Sequence, residues 1–368
     1  MFAVELREIT KTYNQLPVLQ DIRLAVEAGT FTVIYGLPTC GKSVLVRLLT
    51  GLEKPDKGQI FLRETEMTGV DPGERNIGYV PQSFALYPHY SVHDNIAYPL
   101  SLMKVPRNEI EATVRQVANQ IKIDHLLDKR PDQLSGGEKQ RVALARGIIK
   151  QTDIYVLDDP LVGLDFKLRE QLFDDLRSMQ ESLQATFVYT TSDPLETLAL
   201  ADQVAILDGG RIVETGEVEQ IYRTPQHVRS MELLGFPASN VLKGDIYLKD
   251  GRPWCQTGMF ECPVHLIDDR DISDVRQNMA VVIRPQDILL EFDQHTDYLT
   301  FQADITLRDD LGGEVIVHLD ADDTSLTTLI SHDHDHLIAQ DVVTVGIHSS
   351  AVVLFTPETG QRIGHGVV

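Results

Sequence analysis

The sequence predicts an α/β domain of the doubly wound type, followed by a small all-β barrel. In the first part of the chain, short apolar runs typical of buried parallel strands alternate with helical stretches. Those runs cover residues 31–35, 154–157, 186–189 and 204–207. After Pro237 the pattern changes, because short strand-like segments recur between glycine turns such as 249–251 and 311–313. Many short strands between turns are typical of a barrel, so the two halves are expected to fold differently.

The length of the chain agrees with a division into two domains. A chain of 368 residues exceeds one ordinary domain and can bury one large core and a smaller one. We predict the α/β domain at residues 1–235 and the barrel at residues 236–368.

A helical insert is expected inside the first domain. Between Gln82 and Leu134 the apolar spacing becomes helical, and residues 108–121 form an amphipathic stretch with Pro106 near its start. The insert therefore covers about residues 85–150 in this prediction.

Charge and composition exclude several classes of protein. The formal net charge of -22 and the pI near 4.8 argue against a nucleic-acid partner, because phosphate backbones are held mainly by Lys and Arg. No apolar run approaches the roughly 20 residues that span a bilayer. Residues 1–10 alternate charged with apolar side chains, where a signal peptide would be apolar. We therefore expect a cytosolic chain whose three cysteines are reduced.

A phosphate-binding loop is the strongest chemical signal. The segment GLPTCGKS at residues 36–43 follows an apolar strand and precedes a helix that begins near Lys42. Backbone N–H groups and the helix N-terminus hold a β-phosphate in such a loop, so we expect Lys42 to bridge the β- and γ-phosphates and Ser43 to ligate Mg²⁺. Asp158 ends the apolar run 154–157, as a second carboxylate linked to Mg²⁺ does. The predicted ATP-binding residues of this segment are Gly36, Leu37, Pro38, Thr39, Cys40, Gly41, Lys42, Ser43 and Val44.

Three segments in order, GLPTCGKS, LSGGEKQR and IYVLDDP, resemble an ATP-binding cassette (ABC) ATPase over most of residues 1–235. The resemblance implies that two ATPase subunits sandwich two ATP molecules head to tail. Ser135, Gly136 and Gly137, at a helix N-terminus, would then clasp the γ-phosphate held by the opposite subunit. Glu138 stands where the family usually has Gln, which places another carboxylate near the nucleotide.

Weaker matches complete the set that the resemblance implies. Tyr13 fits the aromatic residue that stacks on adenine, Gln82 the sensor of Mg²⁺ and water, and Asp165 the carboxylate that reaches across the dimer. Plain packing of Tyr13 and an ordinary loop amide at Gln82 are the alternatives. Residues 84–88 occupy the neighbourhood that receives a membrane subunit in the family, and core packing is the alternative there.

The C-terminal part carries a resemblance of its own. Residues 282–287 (VIRPQD) and 311–314 (LGGE) are similar to segments of the regulatory barrel in sugar-importer ATPases. This implies a peripheral subunit on the cytoplasmic face of the membrane, joined to two membrane permease subunits and served indirectly by a solute-binding protein. Sugars, polyols and glycerol phosphate are the substrates of that family. An unrelated β-domain is the alternative.

Departures from the family pattern cluster on one half of the nucleotide site. Asp159 stands where the family has the Glu that polarises water, and Ser192 stands where it has a switch His. Pro38 removes a backbone donor, Thr39 occupies a usual glycine position, and Val44 lacks a hydroxyl. Because the signature serine and glycines persist, we predict slow hydrolysis in this chain's own site and a different chain as the second ATPase subunit.

Other interpretations stay open from the sequence alone. One is an active homodimer in which Asp159 reaches the water by local adjustment. Another is an ATP-binding regulator or scaffold that does not hydrolyse. A soluble ABC protein of ribosomes or DNA repair is disfavoured, because neither a tandem cassette nor a long coiled coil occurs in the chain. The histidine-rich segment 331–336 suits a solvated turn better than a metal site.

Overall fold

The protein is described by a computed structural model that covers residues 1–267, 276–292, 298–332, 338 and 341–367, except the side chain of Phe166. Most of the histidine-rich segment lies outside the described residues. The chain forms two compact units, Met1–Val218 and Glu219–Val368. This division falls before residue 235, the predicted end of the first domain. The boundary lies earlier because the short helix Val228–Leu233 belongs to the second unit, where its Met231 packs in one cluster with Val282 and Phe355.

In the described part of the chain, the first unit contains two sheets and six helices, and groups of strands alternate with helices along the sequence. Its strands are β1 Phe2–Tyr13, β2 Leu16–Glu27, β3 Phe31–Tyr35, β4 Lys57–Leu62, β5 Thr65–Glu66, β6 Gly78–Val80, β7 Ile154–Asp158, β8 Thr186–Thr191, β9 Gln203–Asp208 and β10 Arg211–Glu217. Its helices are α1 Lys42–Thr50, α2 Val92–Leu102, α3 Arg107–Gln120, α4 Gly136–Ile148, α5 Phe166–Leu183 and α6 Pro194–Leu200.

The central sheet has the order β10-β9-β3-β8-β7-β6, in which all neighbours except β10 and β9 run parallel. Strands β3, β7 and β8 are buried along their whole length, which explains their continuous apolar sequence. The predicted α/β fold is confirmed. Because β8 lies between β3 and β7, the residues that follow these three strands, Gly36, Asp159 and Ser192, emerge side by side at one sheet edge.

Helices α2, α3 and α4 follow β6 in sequence and precede β7, where the sequence predicts a helical insert. Helix α2 packs against α3 and α4. It begins at Ser91, whose hydroxyl accepts a hydrogen bond from the Asp94 N–H at 3.0 Å. Helix α3 starts directly after Pro106, close to the predicted start. Among the described helices, none is both long and apolar enough to cross a membrane.

The sequence did not predict the second sheet of this unit, an antiparallel set with the order β2-β1-β4-β5. Strand β1 shows why. Its pairing with β2 shifts register several times, between Phe2 and Val4 and again around Ile9, and Glu8 has a positive φ of 56°. Such irregularities destroy the simple alternation of buried and exposed residues by which a strand is recognised.

The second unit is almost entirely β-structure. Its strands are β11 Asn240–Lys249, β12 Arg252–Gln256, β13 Glu261–Leu266, β14 Gln277–Ile283, β15 Ile288–Leu289, β16 Tyr298–Asp310, β17 Glu314–Ala321, β18 Thr324–Ser331, β19 Val342–His348, β20 Val353–Phe355 and β21 Arg362–Gly366, with short helices α7 Val218–Arg223 and α8 Val228–Leu233 at its start. Six strands close a barrel in the order β11-β12-β13-β21-β20-β14, which confirms the predicted barrel. A five-stranded sheet, β15-β19-β16-β17-β18, shares its hydrophobic core. Cys255 and Cys262 face each other within the barrel as buried free thiols.

One buried arginine holds the helix that carries the phosphate loop. Arg75 is 1% exposed, and its guanidinium donates to the carbonyl oxygens of Leu48 at 2.8 Å, Leu49 at 2.7 Å and Val70 at 3.0 Å. The first two carbonyls belong to the last turn of α1, where a helix leaves its acceptors without partners.

We expect Arg75→Met to lower the free energy of unfolding by about 3 kcal/mol, because it leaves several buried carbonyls without donors. Chemical denaturation measures this change. Arg115→Met is the control, since Arg115 is exposed and pairs with Glu111 on its own helix, and it should leave the unfolding midpoint unchanged. Equal midpoints for both variants would contradict the capping role of Arg75.

Candidate nucleotide site

The phosphate loop is shaped by two glycines that cannot carry a side chain. A Cβ on Gly36 would stand 2.3 Å from the Leu207 carbonyl oxygen. Gly41 has a φ of 112° just before α1, and a Cβ there would stand 2.8 Å from Leu19. The buried Lys42 folds back over the loop, and its Nζ donates to the carbonyl oxygens of Gly36 at 2.6 Å and Leu37 at 3.1 Å. The loop is therefore a compact turn at the start of a helix, the geometry that binds phosphate.

A cavity of about 390 Å³ opens beside this loop. Its volume falls within the range of small-ligand sites. Its wall contains most of the predicted phosphate-loop residues together with Gln82, Asp159 and Ser192. The lining residues are Val18, Pro38, Thr39, Gly41, Lys42, Ser43, Val44, Gln82, Asp159, Val162 and Ser192.

Two hydroxyl groups converge on a buried carboxylate beside the cavity. Asp158 is 5% exposed at the end of β7, and its Oδ1 accepts hydrogen bonds from Ser43 Oγ at 3.3 Å and Thr190 Oγ1 at 2.9 Å. Gln82 is exposed and adds an amide to the cavity wall. Carboxylate, hydroxyl and amide oxygens are the ligands that Mg²⁺ accepts, so these residues fit the predicted metal. Thr190 is a part of this arrangement that the sequence did not reveal.

Asp159 occupies an unusual backbone position at the rim of β7. Its φ is 45°, a region that Asp enters more readily than longer residues, and its N–H donates to the carbonyl oxygen of Thr190 at 3.0 Å. Burial raises the pKa of the Asp159 carboxyl, Lys42 opposes that shift, and Asp158 adds to it. The structure thus places the charge of Asp159 in the same cavity as Lys42 and Ser192.

Thr39 carries backbone strain within the loop. Its φ of 70° is a region where a β-branched residue is an outlier. We expect Thr39→Gly to raise the free energy of unfolding by about 1 kcal/mol, because the strain it relieves exceeds the added freedom of the unfolded chain. Denaturation midpoints measure the effect. Thr39→Ala keeps a Cβ and should give a smaller gain, and an equal gain from both would show that the strain does not involve the Cβ.

The signature segment forms the N-terminus of α4, outside the cavity wall. Ser135 caps the helix: its Oγ accepts from the Glu138 N–H at 3.3 Å, and Glu138 Oε2 accepts from the Ser135 N–H at 2.7 Å and from Ser135 Oγ at 2.8 Å. This is a reciprocal capping box. The bond from the Ser135 backbone is the main reason that the pKa of Glu138 is lowered. Glu138 therefore acts as a cap, a role that sequence reasoning missed when it treated this residue only as an added charge.

The two signature glycines differ in their surroundings. Gly136 is exposed, and a Cβ added to it would have no other atom within 4 Å apart from its own helix and chain neighbours. Gly137 is buried, and a Cβ there would stand 2.1 Å from Leu168 Cδ2. Gly136 thus presents an open face, while Gly137 is covered by the end of the Leu168 side chain, which would have to turn away from an added Cβ.

Tyr13 and Asp165 also lie outside the cavity wall. Tyr13 is half-buried, and its hydroxyl donates to Glu53 Oε1 at 2.5 Å, while Lys11 Nζ lies 3.2 Å from the same carboxylate. Asp165 is exposed and caps α5, where its Oδ1 accepts from the Leu168 N–H at 3.0 Å. Glu53 was not predicted as part of the site, because nothing in the local sequence links it to Tyr13.

Helix α4 also holds the loop that follows Gln82. Arg146, in the last turn of α4, donates from Nη1 to the Ala85 carbonyl oxygen at 2.7 Å and from Nη2 to that of Phe84 at 2.8 Å. Its guanidinium lies 5.6 Å from the ring centre of Tyr87. The helix that begins with the signature is thereby tied to the segment next to Gln82.

Comparison with known families agrees with this geometry. Residues 19–162 match the family model described as ABC transporter, and residues 281–355 match the TOBE domain. A dimeric ATP-binding cassette solved in a post-hydrolysis state with ADP and Pi superposes with a TM-score of 0.54 at 26% identity, over 58% of this chain and 98% of that chain.

Similar proteins match over nearly the full length. The chain is 34% identical to the sn-glycerol-3-phosphate import ATP-binding protein of Rhizobium etli, over 98% of this chain and 99% of that protein. It is 35% identical to the maltose/maltodextrin import ATP-binding protein of Yersinia pestis, over 87% of this chain and 86% of that protein. It is 32% identical to the xylose/arabinose import ATP-binding protein of Haloferax volcanii, over 99% of this chain and 96% of that protein. The phosphate loop, the signature helix and these full-length matches together show that the chain is an ABC-type ATPase that binds ATP and belongs to the family of ABC import ATP-binding proteins with a C-terminal TOBE domain.

Proposed function

We propose that this chain couples ATP binding and hydrolysis to the uptake of a sugar, polyol or glycerol phosphate. In this proposal it sits on the cytoplasmic face of the membrane beneath two permease subunits and is served indirectly by a solute-binding protein. The names of the similar proteins support the substrate class, since they include glycerol-3-phosphate, maltose and pentose import. The observation that carries the proposal is the cavity that joins the phosphate loop to Asp159 and Ser192.

The chemistry follows from the residues of that cavity. Lys42 is buried with its ammonium over the loop carbonyls, where it can exchange those bonds for phosphate oxygens. Ser43 and Asp158, already within hydrogen-bond distance of each other, would hold Mg²⁺ with Gln82 as the sensor. A bound Mg²⁺ supplies charge neutralisation for the β- and γ-phosphates. Asp159 would orient the attacking water from the same wall of the cavity.

The two halves of the site differ in a way that favours an asymmetric dimer. Asp159 is shorter than Glu by one methylene, and Ser192 is shorter than His, so both side chains would reach less far toward a bound γ-phosphate. The signature keeps Ser135 and an open face at Gly136. We propose that this signature serves a competent phosphate loop on a different ATPase chain, while this chain's own site binds ATP and turns over slowly.

An active homodimer is the second candidate. One observation favours it: Asp159 lines the same cavity as Lys42 and Ser43. In that case two copies of this chain would form two equivalent sites. A non-hydrolysing scaffold is the third possibility, distinguished by the absence of phosphate release.

Purification of the tagged chain from membranes, followed by identification of its partners, tests the proposal. We expect two integral membrane subunits and a second, different ATPase. Nucleotide affinity is measured on the same material with a fluorescent ATP analogue, and Lys42→Ala is the control that should weaken it. Recovery with ribosomes or DNA repair proteins would overturn the importer, whereas membrane subunits without a second ATPase would favour the homodimer.

A further inference from the structure

We propose that the first turn of α5, residues 165–169, is a junction that connects the signature segment to this chain's own nucleotide cavity, with Arg169 as its positioning residue. We call this turn the α5 junction. The inference rests on the proposed function, because it gives a physical link between the part of the chain offered to a partner's site and the part that forms its own.

The first contact of the α5 junction is with the signature helix. Leu168 packs against Gly137 so closely that a Cβ on that glycine would overlap Leu168 Cδ2. The N–H of Leu168 is fixed in turn by the Asp165 side chain at 3.0 Å. A displacement of the signature segment toward α5 would therefore push on the Leu168 side chain, since no free space separates its Cδ2 from Gly137.

The second contact is with the segment that holds Ser192. Arg169 Nη1 donates to Asp193 Oδ2, and Nη2 donates to the Leu164 carbonyl oxygen at 3.3 Å. Asp193 is the residue directly after Ser192. The Arg169 guanidinium thus connects Leu164, which precedes Asp165, to Asp193, which follows Ser192.

The segment on the Ser192 side is itself rigidly anchored. Asp193 caps α6, where its Oδ1 accepts from the N–H of Leu195 at 2.8 Å. Glu196 is 2% exposed, and its Oε2 accepts from Tyr189 and Thr191 hydroxyls, both at 2.7 Å. Arg169 Nε lies 3.7 Å from Glu196 Oε1, so the guanidinium faces two carboxylates at once. A shift of Arg169 is therefore transmitted to a stiff unit that includes Ser192.

Arg169 is not among the residues that line the cavity, so it would act by positioning Ser192 and Asp193 and through its charge on Asp159, not by contact with the nucleotide. The shape of the side chain matters. A guanidinium donates in two directions in one plane, while a lysine ammonium is a compact charge on a flexible stem and does not reproduce the fixed geometry that holds Asp193 and the Leu164 carbonyl together. Arg169→Lys should therefore keep the positive charge of Arg169 but only part of the link between Leu164 and Asp193.

Hydrogen exchange measured by mass spectrometry on the nucleotide-free chain tests the junction. Gly137→Ala should speed exchange of residues 191–195 by about tenfold, because the new Cβ displaces Leu168 and, through it, Arg169. Gly136→Ala is the matched control, with open space at its Cβ, and should leave that exchange unchanged. In an Arg169→Met background, Gly137→Ala should have no further effect on residues 191–195, although it still alters residues 165–168.

A second comparison stands even where Gly137→Ala fails to fold. Arg169→Met should speed exchange of both 162–165 and 191–195, and Arg169→Lys should restore part of the protection. Arg177→Met is the matched control, because Arg177 lies on the same helix, is similarly exposed and pairs with Asp202 away from the cavity. Equal exchange in the Arg169 and Arg177 variants would overturn the proposal.

ATP provides a further readout at protein concentrations where sedimentation shows a monomer. Binding at the cavity should slow exchange of residues 135–139 in the wild-type chain and in Arg177→Met. In Arg169→Met the affinity should stay within about threefold of wild type while that slowing is lost, because Lys42 and its loop are untouched. Retained slowing would overturn the junction. Failure of the wild-type chain to bind ATP would instead count against the proposed function, and the nucleotide-free comparisons would still decide the junction.

Discussion

Replacing Asp159 by Glu and Ser192 by His in one chain is expected to raise ATP turnover by about a hundredfold, since a misplacement of about 1 Å in a reacting group costs about that much. Both residues line the cavity beside Lys42, so the longer side chains enter the space where the γ-phosphate would lie. Steady-state phosphate release by the purified chain, with ATP affinity measured on the same sample, gives the result. Affinity should change little, because neither residue belongs to the phosphate loop.

The single substitutions are the controls for this prediction. Asp159→Glu places the longer residue at a φ of 45°, which Glu tolerates less well than Asp, so a small loss of stability should accompany it. A gain that appears only in the double variant would show that both groups are needed. Little gain in any variant would assign the defect to Pro38 and Thr39 in the loop. Rapid cooperative turnover by the wild-type chain would contradict the slow-site interpretation from the start.

Local chemistry explains what the sequence revealed. The phosphate loop, Asp158 and the signature are short segments with particular residues at fixed spacing, so their places before α1, at the end of β7 and at the start of α4 could be predicted. The buried strands β3, β7 and β8 were predicted for a similar reason, because a strand covered on both faces is apolar throughout. Their parallel order then brings Gly36, Asp159 and Ser192 together.

Contacts between distant segments explain what the sequence did not reveal. Tyr13 is held by Glu53, Asp158 by Thr190, and Gly137 is packed by Leu168, and none of these pairs leaves a local signal. The antiparallel sheet around β1 was missed because its bulges remove the alternation that marks a strand. The slow site and the different partner chain stay predictions, since they concern rates and assembly rather than fold.

The last prediction concerns which site each residue serves in the complete transporter. Ser135→Arg should reduce transport to background, because it removes the hydroxyl and places a bulky side chain against the γ-phosphate held by the partner subunit. Removal of a single donor from a preorganised anion site already costs about a hundredfold or more. Ser135 lies outside this chain's own cavity, and in the head-to-tail dimer that we propose the loss would arise in the partner's site. Lys42→Ala should reduce transport less, because Lys42 belongs to the site that we propose to be slow, where bound ATP would mainly hold the interface.

The measurement is solute uptake and ATP hydrolysis by the transporter in liposomes, with each substitution made separately. Ser135→Ala is the matched control, because it removes the helix cap, which costs about 1 kcal/mol of stability, without adding bulk. It should retain more transport than Ser135→Arg if steric exclusion of the phosphate is the main effect. The equivalent pair of substitutions in the second ATPase should show the reverse order, with loss of its loop lysine more harmful than loss of its signature serine. Equal losses from both chains would indicate two equivalent sites. A transporter that assembles with this ATPase alone would contradict the asymmetric dimer and favour a homodimer.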